Sequence, residues 1–333
     1  MKSSRLRIAP LAIAAMIAAS TAAAQAPEWK ALTDESVALY RKADYERAEA
    51  AASKALEAAT AFGPDHPNVA TSLSNLATIL EARKRYPEAQ ALLERALAIR
   101  EKTAGAESPL VAATLNGLGS LYRAQGQLAP AEAAFARALA IREKALGPDH
   151  RDVATSLNNL GALYRQQGNY AAAEPLYARA LAIREKALGD AHPDVALSLN
   201  NLAALHDAQD HFEEAEALYK RSLAIREKTL APDHLDVAAS LNSLGELYLA
   251  RRKFEKAEPL LKRAFAIREK ALGEKDPERL ATQLDLWTLY MSTEQFAMAE
   301  VYEQSGQVTP NEAQRRRLSI PIPSPKGNDP TRR

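Results

Sequence analysis

Apolar residues recur along this chain at helical spacing, and the helices they predict recur as well. Leu157, Leu160, Gly161 and Tyr164 follow the i, i+3, i+4, i+7 rhythm of a stripe on one helix face. The same register returns as Leu73, Leu76, Ala77 and Leu80, as Leu115, Leu118, Gly119 and Tyr122, as Leu199, Leu202, Ala203 and His206, and as Leu241, Leu244, Gly245 and Tyr248. A polar turn, QQGN at 166–169, leads to a second stripe of Tyr170, Ala173, Tyr177 and Ala180. The pattern predicts two helices per copy, A and B, with small residues at Gly161 and Ala173 letting them approach closely. The copies lie 42 residues apart: RALAIREKALG stands at 137–147 and again at 179–189, with variants beginning at Arg95, Arg221 and Arg263. Such a fixed long period predicts stacked units, in which Leu139, Ile141, Leu181 and Ile183 recur because identical neighbours need identical packing.

Helix boundaries are written at the same period. Gly63, Gly105, Gly147, Gly189 and Gly273 follow the B stripes, with Ala231 as the exception, and are expected to be left-handed helix stops. Pro67, Pro109, Pro193 and Pro277 fall where a first helical turn tolerates a missing N–H. His66, His150, His192 and His234 recur beside these starts and are expected to serve the turn. Equivalent atoms of successive repeats should be about a helix diameter apart, ~10 Å, too far to share a metal bound at ~2 Å.

Leucine, a leucine with a small neighbour, and an aromatic in helix A, then Ala, aromatic and Ala in helix B, resemble the tetratricopeptide repeat. The 42-residue period and HPDVALSLNNLA from His192 to Ala203 are similar to the longer repeats of kinesin light chains and related bacterial proteins. The resemblance spans about residues 28–305 and implies an all-α fold, a right-handed superhelical solenoid of about six antiparallel helix pairs. Repeats fall near 28–65, 66–107, 108–149, 150–191, 192–233 and 234–275 within a solenoid of 25–309. The first, with Tyr45, Ala48 and Ala55, runs one residue short. A divergent pair at 276–305 has Gln283 in place of leucine and Trp287 in place of Gly or Ala, and is expected to pack differently. TPNEAQRRRL reads as a short capping helix with Thr309 as N-cap and Glu312 three residues on. Residues 310–333 complete this cap and a basic, proline-rich tail, expected to be disordered from Ser319.

Charge and the chain start alter the functional picture. Lys2, Arg5 and Arg7 precede an apolar run from Ile8 to Ala19, and Ala22 and Ala24 offer a cleavage site: residues 1–24 read as a signal peptide, cut near Ala24. With no cysteine, and hence no lipidation site of the lipoprotein kind, a periplasmic or secreted protein is expected. Without the leader, 40 basic residues face 42 acidic ones, which disfavours nucleic acid as a partner. Residues 310–333 carry +4 and the body about −6, so weak contact of the tail with an anionic surface is expected.

The resemblance implies that helix A lines a concave face that holds a protein or peptide. Asn116, Asn158, Asn200 and Asn242 follow its first leucine, and an amide that both donates and accepts can bind an extended backbone; it can equally bond the neighbouring helix and fix stacking. One turn on stand Glu81, Arg123, Arg165, Asp207 and Leu249, where the copies differ; Arg123 and Arg165 are candidates to hold a carboxylate. The uniform triplets Arg142-Glu143-Lys144 and their copies, Arg184 included, read as exposed charges complementing the end of helix B. No phosphate loop, nucleophile elbow or metal-ligand motif is present, and neither enzyme activity nor a cofactor is expected. The reading is a binding scaffold; the rival is a self-associating or spacing protein of the cell envelope.

Overall fold

The computed structural model describes residues 10–304 except Lys275, with side-chain surroundings from Ala26 to Tyr302. The cap expected from Thr309 and the tail lie outside these residues, as do the side chains of the leader. The regular structure described is helical throughout: α1 (Pro10–Arg41), α2 (Tyr45–Thr60), α3 (Pro67–Ala82), α4 (Tyr86–Ala104), α5 (Pro109–Ala124), α6 (Leu128–Leu146) and α7 (Arg151–Gln166) are followed by α8 (Tyr170–Leu188), α9 (Pro193–Ala208), α10 (Phe212–Thr229), α11 (Leu235–Ala250), α12 (Phe254–Ala271), α13 (Pro277–Ser292) and α14 (Phe296–Gln304). Odd-numbered helices are A and even-numbered ones B, so the described residues form seven hairpins, six for the repeats and one for the divergent pair. No helix described is long and apolar enough to cross a membrane. Contacts group the chain into two compact units, Met1–Ile183 and Arg184–Arg333, divided inside α8.

Within the first unit each hairpin closes around the small residue of helix A. A Cβ placed on Gly119 would lie 2.5 to 2.9 Å from the Phe135 ring of α6, and one on Gly161 would lie 3.0 to 3.2 Å from the ring of Tyr177. Ala173 and Tyr177 are both buried, as the B stripe predicts. The start of helix A adds a buried Val-Ala pair that the stripe missed: Val153 and Ala154 pack with Leu157 against Ala180 and Ile183, and Val111 and Ala112 with Leu115 against Ala138 and Ile141.

The second unit repeats this arrangement with Gly245 against Leu261 and Val237, Ala238 and Leu241 against Ala264 and Ile267. Its last hairpin carries other residues at two of the packing positions. Trp287 is buried where Gly or Ala stands elsewhere, and Gln283, buried at a leucine position, donates its amide to the Tyr302 carbonyl.

Turn chemistry departs from one expectation. Gly105 and Gly147 cap α4 and α6 with φ of 87° but ψ of 150° and 157°, an extended conformation open in practice to glycine alone, not the left-handed helical one. Gly273 has no positive φ; α12 ends earlier, at an extended Leu272, as α10 ends at Leu230 before Ala231. Positive φ between A and B recurs instead at Ala43, Lys84, Gly126, Gly168, Asp210, Arg252 and Glu294. The turn role of the histidines is N-capping: Nδ1 of His66, His150, His192 and His234 accepts the backbone N–H two residues on, at 3.1 to 3.2 Å. Ser108 and Asp276 do the same with oxygen.

Candidate functional site

The charged part of the repeated phrase turns out to be the joint between hairpins. Arg142 is only 8% exposed, and its Nη1 donates to the Asp152 carbonyl and to Ser156 Oγ of the next helix A, both at 2.9 Å. Arg184 reaches the Asp194 carbonyl at 3.1 Å and Ser198 Oγ at 2.9 Å. Arg226 reaches Asp236 and Ser240 at 2.9 and 2.8 Å, Arg268 bonds Glu278 and Thr282, and Arg100 bonds Thr114. These arginines are therefore not the exposed, dipole-complementing charges expected. Burial pushes the guanidinium pKa of Arg100, Arg142, Arg184 and Arg226 down from the usual arginine value. The signal was available in sequence, since a Ser or Thr follows each of these arginines at one fixed distance, inside an otherwise apolar stripe.

The neighbouring glutamate belongs to the same joint. Glu101 accepts from Arg137 and Glu143 from Arg179, both at 2.6 Å, and Glu185 pairs with Arg221 at 2.7 Å. The first arginine of each phrase thus meets the glutamate of the phrase before. Lysines 144 and 270 make exposed pairs with Glu107 and Asp233.

Two of the four asparagines, Asn116 and Asn242, bond the neighbouring A helix. Asn116 and Asn242 are buried, and Asn158 is 5% exposed, while Asn200 is half-buried. Asn116 Nδ2 donates to Ser156 Oγ at 3.0 Å, completing the Arg142 joint, and its Oδ1 lies 3.4 Å from Asn159 Nδ2. Asn242 Oδ1 lies 2.8 Å from the Thr282 hydroxyl. At Asn116 and Asn242 the amide expected to face a ligand is taken up by the next helix A, because the position lies at the A–A seam. Trp29 does this in the first hairpin, donating to Ser72 Oγ at 2.8 Å.

The positions that vary stay open. In the first unit Arg123 is half-buried and Arg165 exposed. Among the described residues neither makes an ion pair; both guanidiniums favour the ionised form of the buried Tyr177 hydroxyl against its burial, and Arg123 does the same for Glu81. Burial nonetheless raises the Glu81 carboxyl above its ordinary value. Arg123 and Arg165 stand on neighbouring A helices, α5 and α7.

The second unit carries the opposite sign, which sequence reading missed. Asn242 Nδ2 donates to Glu246 Oε1 at 2.5 Å and lies 3.4 Å from Asp285 Oδ2, drawing two carboxyls together across the α11–α13 seam. Asp285 is half-buried and Glu246 exposed. Desolvation raises both carboxyl pKa values, Asp285 well above the usual range; Glu246 pushes Asp285 further up, whereas the interaction with Asp285 holds Glu246 down. Asp207 adds repulsion to Glu246, and Arg268 opposes both shifts. The trace in sequence is a register difference: Glu246 stands where the earlier copies have Ser120, Ala162 and Ala204, and Asp285 where they have Asn159, Asn201 and Ser243.

No group of three or more potential metal ligands occurs among the described residues. Stacked helical hairpins with invariant joints and a variable helix-A surface define a repeat scaffold. The chain belongs to the tetratricopeptide repeat family, whose profile matches residues 32–102, 72–144, 110–186, 152–228, 212–270 and 236–306. Repeats of this family generally mediate protein–protein interaction. No curated protein matches the chain. Among solved structures it is similar to BtubC (BKLC) from P. vanneervenii, at 28% identity over 68% of this chain and 91% of that one, with a TM-score of 0.57. A Podosopora anserina putative kinesin light chain with nearly identical repeats is 31% identical over 62% of this chain and 97% of that one, TM-score 0.51. A tetratricopeptide repeat protein from Parabacteroides merdae shares the fold at 18% identity, over 88% of this chain and 98% of that one, TM-score 0.55.

Proposed function

We propose that this protein is an exported scaffold that holds a segment of a partner protein along the exposed surface of its A helices. The observation that carries the reading is the contrast between joints and surface. Arg142, Ser156 and Glu143 recur because every hairpin stacks alike, whereas Arg123 and Arg165 stand where other copies have Glu81, Asp207 and Leu249, and Glu246 and Asp285 where earlier copies have uncharged residues, although stacking does not require it. Charge that varies from repeat to repeat on an otherwise uniform frame encodes a ligand. In the first unit Arg123 and Arg165 take a carboxylate, from an acidic side chain or a chain terminus, through bidentate guanidinium contacts. Asn116 acts one step behind the ligand by fixing the seam between α5 and α7. Export rests on the basic, apolar and small-residue order of residues 1–24, and an exported chain meets its partner in the periplasm or outside the cell.

The test of binding is peptide-library selection on the immobilised chain, repeated with Arg123→Ala/Arg165→Ala. Enrichment of acidic segments that the double variant loses, with its helical circular dichroism intact, supports the reading. No enrichment, with a mass that climbs with concentration, favours the self-associating envelope protein instead. Export is tested by fusing residues 1–30 to a phosphatase active only outside the cytoplasm and sequencing the N-terminus of the product. Activity with a start at Gln25 is expected; an inactive, uncut fusion removes the exported part of the proposal.

A further inference from the structure

Along the A helices of the first unit, the register of Arg165 and Arg123 runs back to Glu81 on α3 and, because the first repeat is one residue short, to Tyr40 on α1. At that end of the row the surface is hollow. A cleft of about 300 Å³, open to solvent, lies between α1 and α3 and is lined by Ser36, Val37, Tyr40, Asn75, Thr78 and Ile79.

Its walls are Val37, the buried Ile79 and the ring of Tyr40, which Tyr45 of α2 braces at 5.6 Å between centroids. The hydroxyl protons of the lining are already spent on their own helices: Ser36 donates to the Thr33 carbonyl at 2.8 Å and Thr78 to the Ser74 carbonyl at 3.0 Å. A polar side chain entering here would give up water for few new bonds, whereas an apolar one gains with the area it buries. Half-buried Asn75 adds an amide that can donate to and accept from main chain running past it. The sequence explains why the hollow is at this seam. Between α3 and α5, Thr78 and Glu81 stand for Val37 and Tyr40, and Gly117 stands for Asn75; between α5 and α7 the Tyr40 position is Arg123.

We infer that the α1–α3 cleft takes a branched aliphatic side chain of the same partner segment whose carboxylate Arg123 and Arg165 hold. This second anchor rests on the proposed binding to the A helices, and it gives the segment an order and a spacing. Two steps of about 10 Å between successive A helices separate the cleft from the arginine pair, and extended backbone advances about 3.3 Å per residue, so the two anchor positions are about six residues apart. Glu81 stands on α3 between them and selects against an acid in the spacer.

Peptide-library selection on the immobilised full chain reads the spacing directly: valine, leucine or isoleucine is expected about six residues from the enriched acid. In titrations of one enriched peptide, replacing that aliphatic residue by serine should weaken binding roughly tenfold or more, the worth of burying one such side chain. Val37→Phe, which fills the cleft from its wall, should weaken the aliphatic peptide by the same factor and bind both peptides alike, with helical circular dichroism unchanged. Arg123→Ala/Arg165→Ala should weaken both peptides and preserve the ratio between them. Acidic enrichment with no aliphatic preference at a fixed distance, or a ratio that survives Val37→Phe, overturns the cleft and leaves the arginine site standing. Aliphatic enrichment without acids, abolished by Val37→Phe, keeps the cleft and removes the arginine site. A library that enriches nothing sinks both.

Discussion

Arg142 carries its charge into a nearly closed site, and only its bonds to Asp152 and Ser156 offset the loss of water. Arg142→Ala should therefore lower stability by about 2 kcal/mol, the scale of a charged hydrogen bond removed from a buried acceptor pair. Arg142→Lys should recover little, since an ammonium lacks the planar fork. Lys144→Ala, two residues on, removes only an exposed pair with Glu107 and should change stability by less than about 0.5 kcal/mol. Urea titration separates these outcomes, and equal losses would refute the joint. Glycine offers a second contrast on α5. Gly119→Ala must displace the Phe135 ring and should cost about 1 to 3 kcal/mol. A Cβ at Gly117 meets only Leu93 at 3.5 to 3.6 Å, so Gly117→Ala should be neutral or stabilise by up to about 1 kcal/mol through helix propensity.

At the scale of the helix, the caps are open to improvement. Histidine is an uncommon N-cap, and His150 satisfies one N–H, whereas Asp276 at the same register accepts from Glu278 and Arg279 at 2.9 and 3.3 Å and adds a negative charge at a helix start. His150→Asp should raise the urea midpoint, by about 0.5 to 1 kcal/mol of stability; a drop would mean that the imidazole does more than cap. The paired helices, the close approach at Gly161 and the divergence at Trp287 were legible because apolar period and residue size act locally. The joints were not, because a charged residue near a helix end reads as solvated unless the helix that covers it is known. Arg184 is the instructive case: its letters match those of an exposed helix terminus, and only the arrival of Ser198 shows that it is buried. Glu246 and Asp285 escaped for a related reason, being nearly a full repeat apart in sequence and adjacent only across a seam.

At the scale of the whole molecule, that acidic seam makes stability depend on pH. Raised carboxyl pKa values mean that the folded chain keeps protons the unfolded chain releases. This contribution is fully present below the usual carboxylate range and is lost as pH rises through the raised values. Glu216 and Glu258, held low by bonds from Lys220 and Lys262, act oppositely, and their contribution is lost as pH falls. Asp285→Asn, which installs the residue found at positions 159 and 201, should raise stability near neutrality and flatten its decline with pH. Denaturation of a Trp29→Phe background, where Trp287 alone reports, checks this: an unchanged pH slope would clear the pair of the effect.

The constant separation of each arginine from the hydroxyl it clamps has a consequence for how the chain can change length. Every joint is written by letters close together in the gene, and the partner surfaces are interchangeable. Excising residues 109–150, one period within the first unit, brings Ser156 into the place of Thr114 opposite Arg100, so a chain of one fewer hairpin closes its joint with the residues it already has. Excising 109–147 instead sets Val153 opposite Arg100, and that chain should aggregate or be degraded. Copy number is thus a heritable variable that recombination between near-identical phrases can alter in whole steps, while the reach of the scaffold grows or shrinks with it.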